Sequence, residues 1–132
     1  MSVGLLIITH GEIGEALLDT AVAVLGFCPL KVKVLSVPMG CEPDSFKSHA
    51  RQELLSLQQQ DGVLVLTDLF GSTPYHIAKS LLDSNVNVVS GINLPMLIRT
   101  LNYANVSLEA LTQKALTGGK DGVLVCPQNN ST

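Results

Sequence analysis

Short apolar runs, each too brief for a helix, alternate along this chain with segments whose apolar residues recur three and four positions apart. Few folds accommodate that alternation. The first run, Val3 to Ile8, is continuous, as in a strand buried on both faces of a parallel sheet. Within about three residues it gives way to Glu12–Leu25, where Ile13, Ala16, Leu17, Ala21 and Val24 share one helical face. Gly26 is placed to cap that helix and Pro29 to prevent its continuation. Lys31 to Val37 reads as a second strand whose alternation and polarity suit a sheet edge. Asp44 is expected to cap a helix running to Gln60, with Phe46, Ala50, Leu54, Leu55 and Leu57 inward, and Val63 to Leu66 is a second fully buried strand.

The pattern then repeats. Thr73 as cap and Pro74 as first residue open a helix to Leu82; Asn87 to Gly91 is a fourth strand; Asn93 and Pro95 open the next helix. Ser107 caps a last helix through Leu116, stopped by Gly118-Gly119, and Val123 to Val125 makes a fifth strand. Residues 1–127 are expected to form one domain and 128–132 a loose tail. Strands alternating with helices, joined by right-handed crossovers, predict an α/β fold: a doubly wound, mostly parallel five-stranded sheet of order 2-1-3-4-5.

Composition narrows the function classes. A chain of 132 residues supports one ordinary core, and 46% hydrophobic against 14% charged residues describes a well-buried globule. The net charge of −3, with no run of Lys or Arg, argues against a nucleic-acid partner. No apolar stretch reaches membrane-spanning length and the chain starts directly on a core strand, so a cytoplasmic location is expected. Cys28, Cys41 and Cys126 are odd in number and widely spaced, and read as free thiols. His49 and His76 read as surface helix residues, and no metal or cofactor is expected.

In the predicted order, strands one and three are neighbours at the point where the winding reverses. Ligands and chemistry collect at the carboxyl edge there. Thr9-His10-Gly11 ends strand one and Asp68 follows strand three, so His10 and Asp68 should face each other across one crevice. A histidine in this position could serve only to bond a neighbouring loop. A carboxylate beside it, however, holds one ring N–H, fixes the tautomer and leaves the other nitrogen as an oriented nucleophile. Gly11 and Gly71 permit close backbone approach, and helices starting after His10 and at Thr73 aim N–H groups into the crevice, an arrangement that favours phosphate. The combination suggests transient phosphorylation of the ring, with the hydroxyl of Thr73 or Ser72 beside the phosphoryl group.

Rival motifs lack their parts. A receiver-type phosphoaspartate site wants an acidic pair after strand one and a lysine after strand five, where Thr9-His10 and Cys126-Pro127 stand. Gly71-Ser72-Thr73-Pro74 is no nucleophile elbow. Gly118-Gly119-Lys120 follows a helix instead of preceding one, so it is neither a P-loop nor a dinucleotide fingerprint.

Thr9-His10-Gly11, Asp68-Leu69-Phe70-Gly71-Ser72-Thr73-Pro74 and Asn93-Leu94-Pro95-Met96-Leu97 occur in that order, and with them the chain from Val3 to Val125 resembles the mannose-family IIA domains of the phosphoenolpyruvate-dependent sugar phosphotransferase system. The related dihydroxyacetone-kinase phosphotransfer subunit resembles it less at the Pro-Met loop and at Gly71 to Pro74. The resemblance implies a IIA component with a phosphohistidine intermediate: the residue matching His10 accepts phosphate from HPr and passes it to a IIB partner, that matching Asp68 orients the ring, and that matching Thr73 sits beside it. It also implies a homodimer that exchanges strand five, and contact with the membrane only through the transporter complex. Ser72 stands where the family commonly has a second glycine and Thr73 where it commonly has serine. A free-standing IIA without a fused IIB domain is expected, and with it the alternative expectation of a regulatory protein that reports the phosphorylation state of the system by binding targets. For docking of HPr-type partners, Met39, Phe70, Leu94 and Met96 are the expected rim, adaptable apolar residues of the kind interface cores use.

Overall fold

The computed structural model describes residues 2–58 and 61–128. Four parallel strands, β1 (Gly4–His10), β2 (Val32–Val37), β3 (Val63–Thr67) and β4 (Val86–Ser90), lie in the order β2-β1-β3-β4. β1 is central because it can afford no exposure: Leu5, Leu6, Ile7 and Ile8 are all fully buried, two on each face of the sheet. Leu5 and Ile7 join the core under α1 (Ile13–Leu25), α4 (Leu94–Leu101) and α5 (Leu108–Asp121). Leu6 and Ile8 join the core under α2 (Pro43–Leu55) and α3 (Thr73–Lys79). The more polar β2 takes an edge, as its alternation predicts.

Local signals hold where the cap is a matter of one residue's backbone. Gly26 ends α1 at φ 87° and donates its N–H to Val22. Asn93 caps α4 through its side-chain oxygen, 2.8 Å from the Met96 amide, and Ser107 caps α5 through the Ala110 amide. Two other helix starts are displaced. α2 begins two residues earlier, with Glu42 instead of Asp44 at the cap and Pro43 in the first turn, and its last turn ends at Leu55. α3 has Ser72, not Thr73, at the cap, and the Ser72 hydroxyl donates to the Leu69 carbonyl at 2.6 Å instead of accepting from the helix. Gln59, Gln60 and the expected tail from 129 onward lie outside the described residues.

The C-terminal third departs further from the expected pattern. Gly118 and Gly119 do not stop α5; the helix runs through them to Asp121. They are glycines because α4 lies against them. A Cβ on Gly118 would stand 2.8 Å from the Arg99 Cβ, and one on Gly119 would stand 2.8 Å from the Met96 Cε. The Asn93 side-chain amide donates to the Gly119 carbonyl at 3.3 Å, and the Arg99 guanidinium reaches the Asp121 carboxylate at 3.2 Å, fastening the two helices together. Gly122 packs so closely on Pro95 that a Cβ there would overlap its ring.

The predicted fifth strand does not form: among the described residues the sheet has four strands, and Val123, Leu124 and Val125 pair with none of them and are exposed. The extended α5 and the Gly122–Pro95 contact tie the chain's exit to the start of α4.

Candidate functional site

His10 closes β1 with its side chain on the α2/α3 face, following Leu6 and Ile8. The β1–β3 ladder has its last rung at Ile8 and Thr67, and Asp68 is the next residue after β3. Where another rung would present a carbonyl, the Asp68 carboxylate stands instead: its Oδ2 accepts the His10 backbone N–H at 3.1 Å and contacts His10 Nδ1 at 2.7 Å. An ionised carboxylate only accepts, so this pairing places the ring proton on Nδ1 and leaves Nε2 with a free lone pair. The imidazole is 25% exposed and the carboxylate 12%, so the ring is partly open to solvent and the carboxylate largely sheltered. The second oxygen, Asp68 Oδ1, is buried with no hydrogen-bond partner among the described residues, which concentrates both bonds on Oδ2.

Around this pair the other anticipated residues divide. Gly11 makes the turn out of β1 at φ 47°, but its N–H is engaged by the Val37 carbonyl at 2.8 Å, so it extends the β1–β2 ladder and offers no free donor. Gly71 turns at φ 83° in the loop before α3. At the start of α3, Pro74 has no N–H, and the Thr73 and Tyr75 amides stand ahead of the first intrahelical bond, His76 N–H to the Ser72 carbonyl at 3.0 Å. The Thr73 hydroxyl makes no hydrogen bond among the described residues, whereas that of Ser72 is occupied by Leu69. A histidine whose carboxylate partner leaves an oriented lone pair is chemically suited to receive an electrophile, and helix-start amides without a partner among the described residues suit an anion.

A sequence profile of the EIIA-man family, described as the PTS system fructose IIA component, matches residues 4–116, a span that holds both halves of the His10–Asp68 pair. The chain belongs to the EIIA-man family. It is 31% identical over 127 residues to the mannose-specific EIIAB component of Escherichia coli K12, covering 93% of this chain and 39% of that protein. The chain therefore spans well under half the length of that relative. Similarity to the fructose-specific EIIA component of Bacillus subtilis is 25% identity over 132 residues, 96% of this chain and 88% of that one. Among solved structures, the mannose/sorbose-specific IIA subunit of Enterococcus faecalis superposes with a TM-score of 0.86 at 22% identity, over 97% of each chain, a likeness of fold.

On this EIIA-man scaffold the four residues expected at the docking rim differ in exposure. Met39 and Phe70 are 80% and 73% exposed, and the Phe70 ring lies 4.5 Å from that of Tyr75. Leu94 is half-buried. Met96 is 4% exposed and turned into the core against Gly119, so it is no rim residue; an aspartate there would bury a carboxylate and report on folding, not docking. Leu69 is exposed beside Phe70, although one apolar residue just past a strand is indistinguishable by pattern from the strand's own end.

His49 and His76 are surface residues of α2 and α3, as expected. Among the described residues, no three His, Cys, Asp or Glu side chains gather closely enough to hold a metal ion, and no helix is long and apolar enough to cross a membrane. A cleft of about 740 Å³ between α4 and α5, lined by Leu94, Ile98, Arg99, Tyr103 and Asp121, includes neither His10 nor Asp68.

Proposed function

We propose that this IIA component carries a phosphoryl group on His10 Nε2, accepting it from HPr and passing it to a IIB partner in sugar uptake, with residues 1–127 acting as one phosphotransfer domain. The observation that carries the proposal is the double engagement of Asp68 Oδ2 by the His10 ring and backbone. In the transfer, the Nε2 lone pair forms a bond to phosphorus as the donor's phosphorus–nitrogen bond breaks, and the electron pair of that bond returns to the donor imidazole. The proton on Nδ1 stays where it is, so the phosphorylated ring is cationic and the Asp68 carboxylate offsets its charge. The amides of Thr73 and Tyr75 and the Thr73 hydroxyl supply donors for the phosphoryl oxygens. A surface site suits this role, since the substrate arrives on another protein. Incubation with phosphoenolpyruvate, enzyme I and HPr should add one phosphoryl group that is lost in acid; an unlabelled protein would remove the proposal.

Docking is assigned to Met39, Leu69 and Phe70. Phe70→Asp should leave the fold intact, because the side chain is mostly in solvent, and raise the HPr concentration giving half-maximal phosphorylation about tenfold or more, as loss of an aromatic anchor does. An unchanged concentration dependence would take this surface out of the interface.

A homodimer is also proposed. The exposed Val123–Val125 would add to the free edge of β4 in a second copy, beside a groove of about 440 Å³ lined by Val88, Ser90 and Leu116. Truncation after Gly122 keeps α5 whole and should give monomers on sedimentation; a truncated protein that remains dimeric excludes the exchange.

A further inference from the structure

Thr9 is fully buried, and its hydroxyl accepts the Gly14 amide at 2.8 Å and donates to the His10 carbonyl at 3.3 Å. α1 has no side-chain cap of its own, because Glu12 at the cap position makes none, so a residue five positions upstream does the work. The approach is close enough to dictate the partner. A Cβ on Gly14 would stand 2.8 Å from Ile7 Cγ2 and 3.0 Å from the Thr9 hydroxyl, so only glycine lets the first turn of α1 settle onto β1 here.

Together with Asp68, this leaves both backbone polar groups of His10 held by side chains: its N–H by Asp68 and its carbonyl by Thr9. Alternation along β1 puts Thr9 on the α1/α4/α5 face of the sheet and the His10 ring on the other. The hydroxyl therefore cannot touch a phosphoryl group, and acts only through the backbone.

We infer that Thr9 is a positioning residue for His10, its hydroxyl tying the His10 carbonyl to the first turn of α1 and so fixing the direction in which Nε2 meets the phosphoryl donor. The inference rests on the reading of His10 as phosphoryl acceptor. Misplacement of a reacting atom by a fraction of an ångström to an ångström is costly in rate while leaving the partner's docking surface alone.

The test compares wild type with Thr9→Val, which keeps the shape and loses the hydroxyl, and Thr9→Ser, which keeps the hydroxyl. Phosphorylation by phospho-HPr is followed across HPr concentrations. Thr9→Val should lower the saturating rate about tenfold or more with the half-saturating HPr concentration unchanged, and Thr9→Ser should restore the rate. A purely structural role predicts instead a lowered melting temperature for Thr9→Val and a wild-type saturating rate in the folded fraction, which overturns the inference. If Thr9→Val does not fold, Thr9→Cys, with its weak S–H donor, should fall between serine and valine in effect, and a wild-type rate there overturns it equally. Wild type that takes no label on His10 overturns both this inference and the reading beneath it; a labelled wild type with an equally fast Thr9→Val overturns this one alone.

Discussion

Alanine at position 10 will leave a folded protein that takes up no acid-labile, base-stable phosphoryl label. The loss should be complete because no other side chain has the same surroundings. His49 stacks against Phe46 and His76 sits edge-on to Tyr75, both at the surface, and neither has a carboxylate partner among the described residues. Folding should survive because Asp68 keeps the backbone N–H of residue 10, so the sheltered carboxylate is not abandoned by removal of the ring. The measurement is intact-protein mass after incubation with phosphoenolpyruvate, enzyme I and HPr, followed by acid, base and hydroxylamine treatment. An acyl phosphate surviving in His10→Ala and cleaved by hydroxylamine would transfer the acceptor role to Asp68, and the histidine mechanism would be wrong.

Asp68→Asn should keep the fold and a modifiable His10 but slow transfer by roughly 30- to 1000-fold. The substitution keeps the shape and removes the charge that offsets the cationic phosphorylated ring. An asparagine can also turn its NH₂ toward Nδ1, favouring the tautomer with the proton on Nε2, where the nucleophilic lone pair is needed. Loss of about 2 to 4 kcal/mol of orientation and electrostatic stabilisation corresponds to that range at about 1.36 kcal/mol per decade. Single-turnover transfer from phospho-HPr measures it directly. A rate within about twofold of wild type, less than about 0.5 kcal/mol, would mean that the short Nδ1–Oδ2 contact holds the ring without assisting the reaction.

These two substitutions concern the part of the site that the amino-acid order determines by itself. The apolar runs, their β-branched content and the helical spacing between them report the burial of each element against its own neighbours, and that is enough to define four of the strands and all five helices. Right-handed crossover then leaves β1 beside β3, and a histidine at one strand end with an aspartate just past the other are forced into proximity. Gly26 and Asn93 were equally legible, since the conformation or capping bond of a single residue sets each helix end.

What the tertiary structure decided depends on how two elements approach each other. Gly118-Gly119 carries the composition of a helix stop, but the missing side chains make room for Arg99 and Met96 of α4, and the helix continues. The same contact turns Met96 inward, although a methionine one turn into a helix reads as well on a rim as in a core. Thr9 caps a helix that begins four residues later because the turn at Gly11 brings the first turn of α1 over the end of β1. Val123–Val125 has the sequence of a strand, yet a strand exists only where another backbone offers its edge, and among the described residues no strand pairs with this segment. Periodicity records whether a residue is buried; which atoms bury it, and whether a hydrogen-bonding edge is within reach, follows only from the packed arrangement.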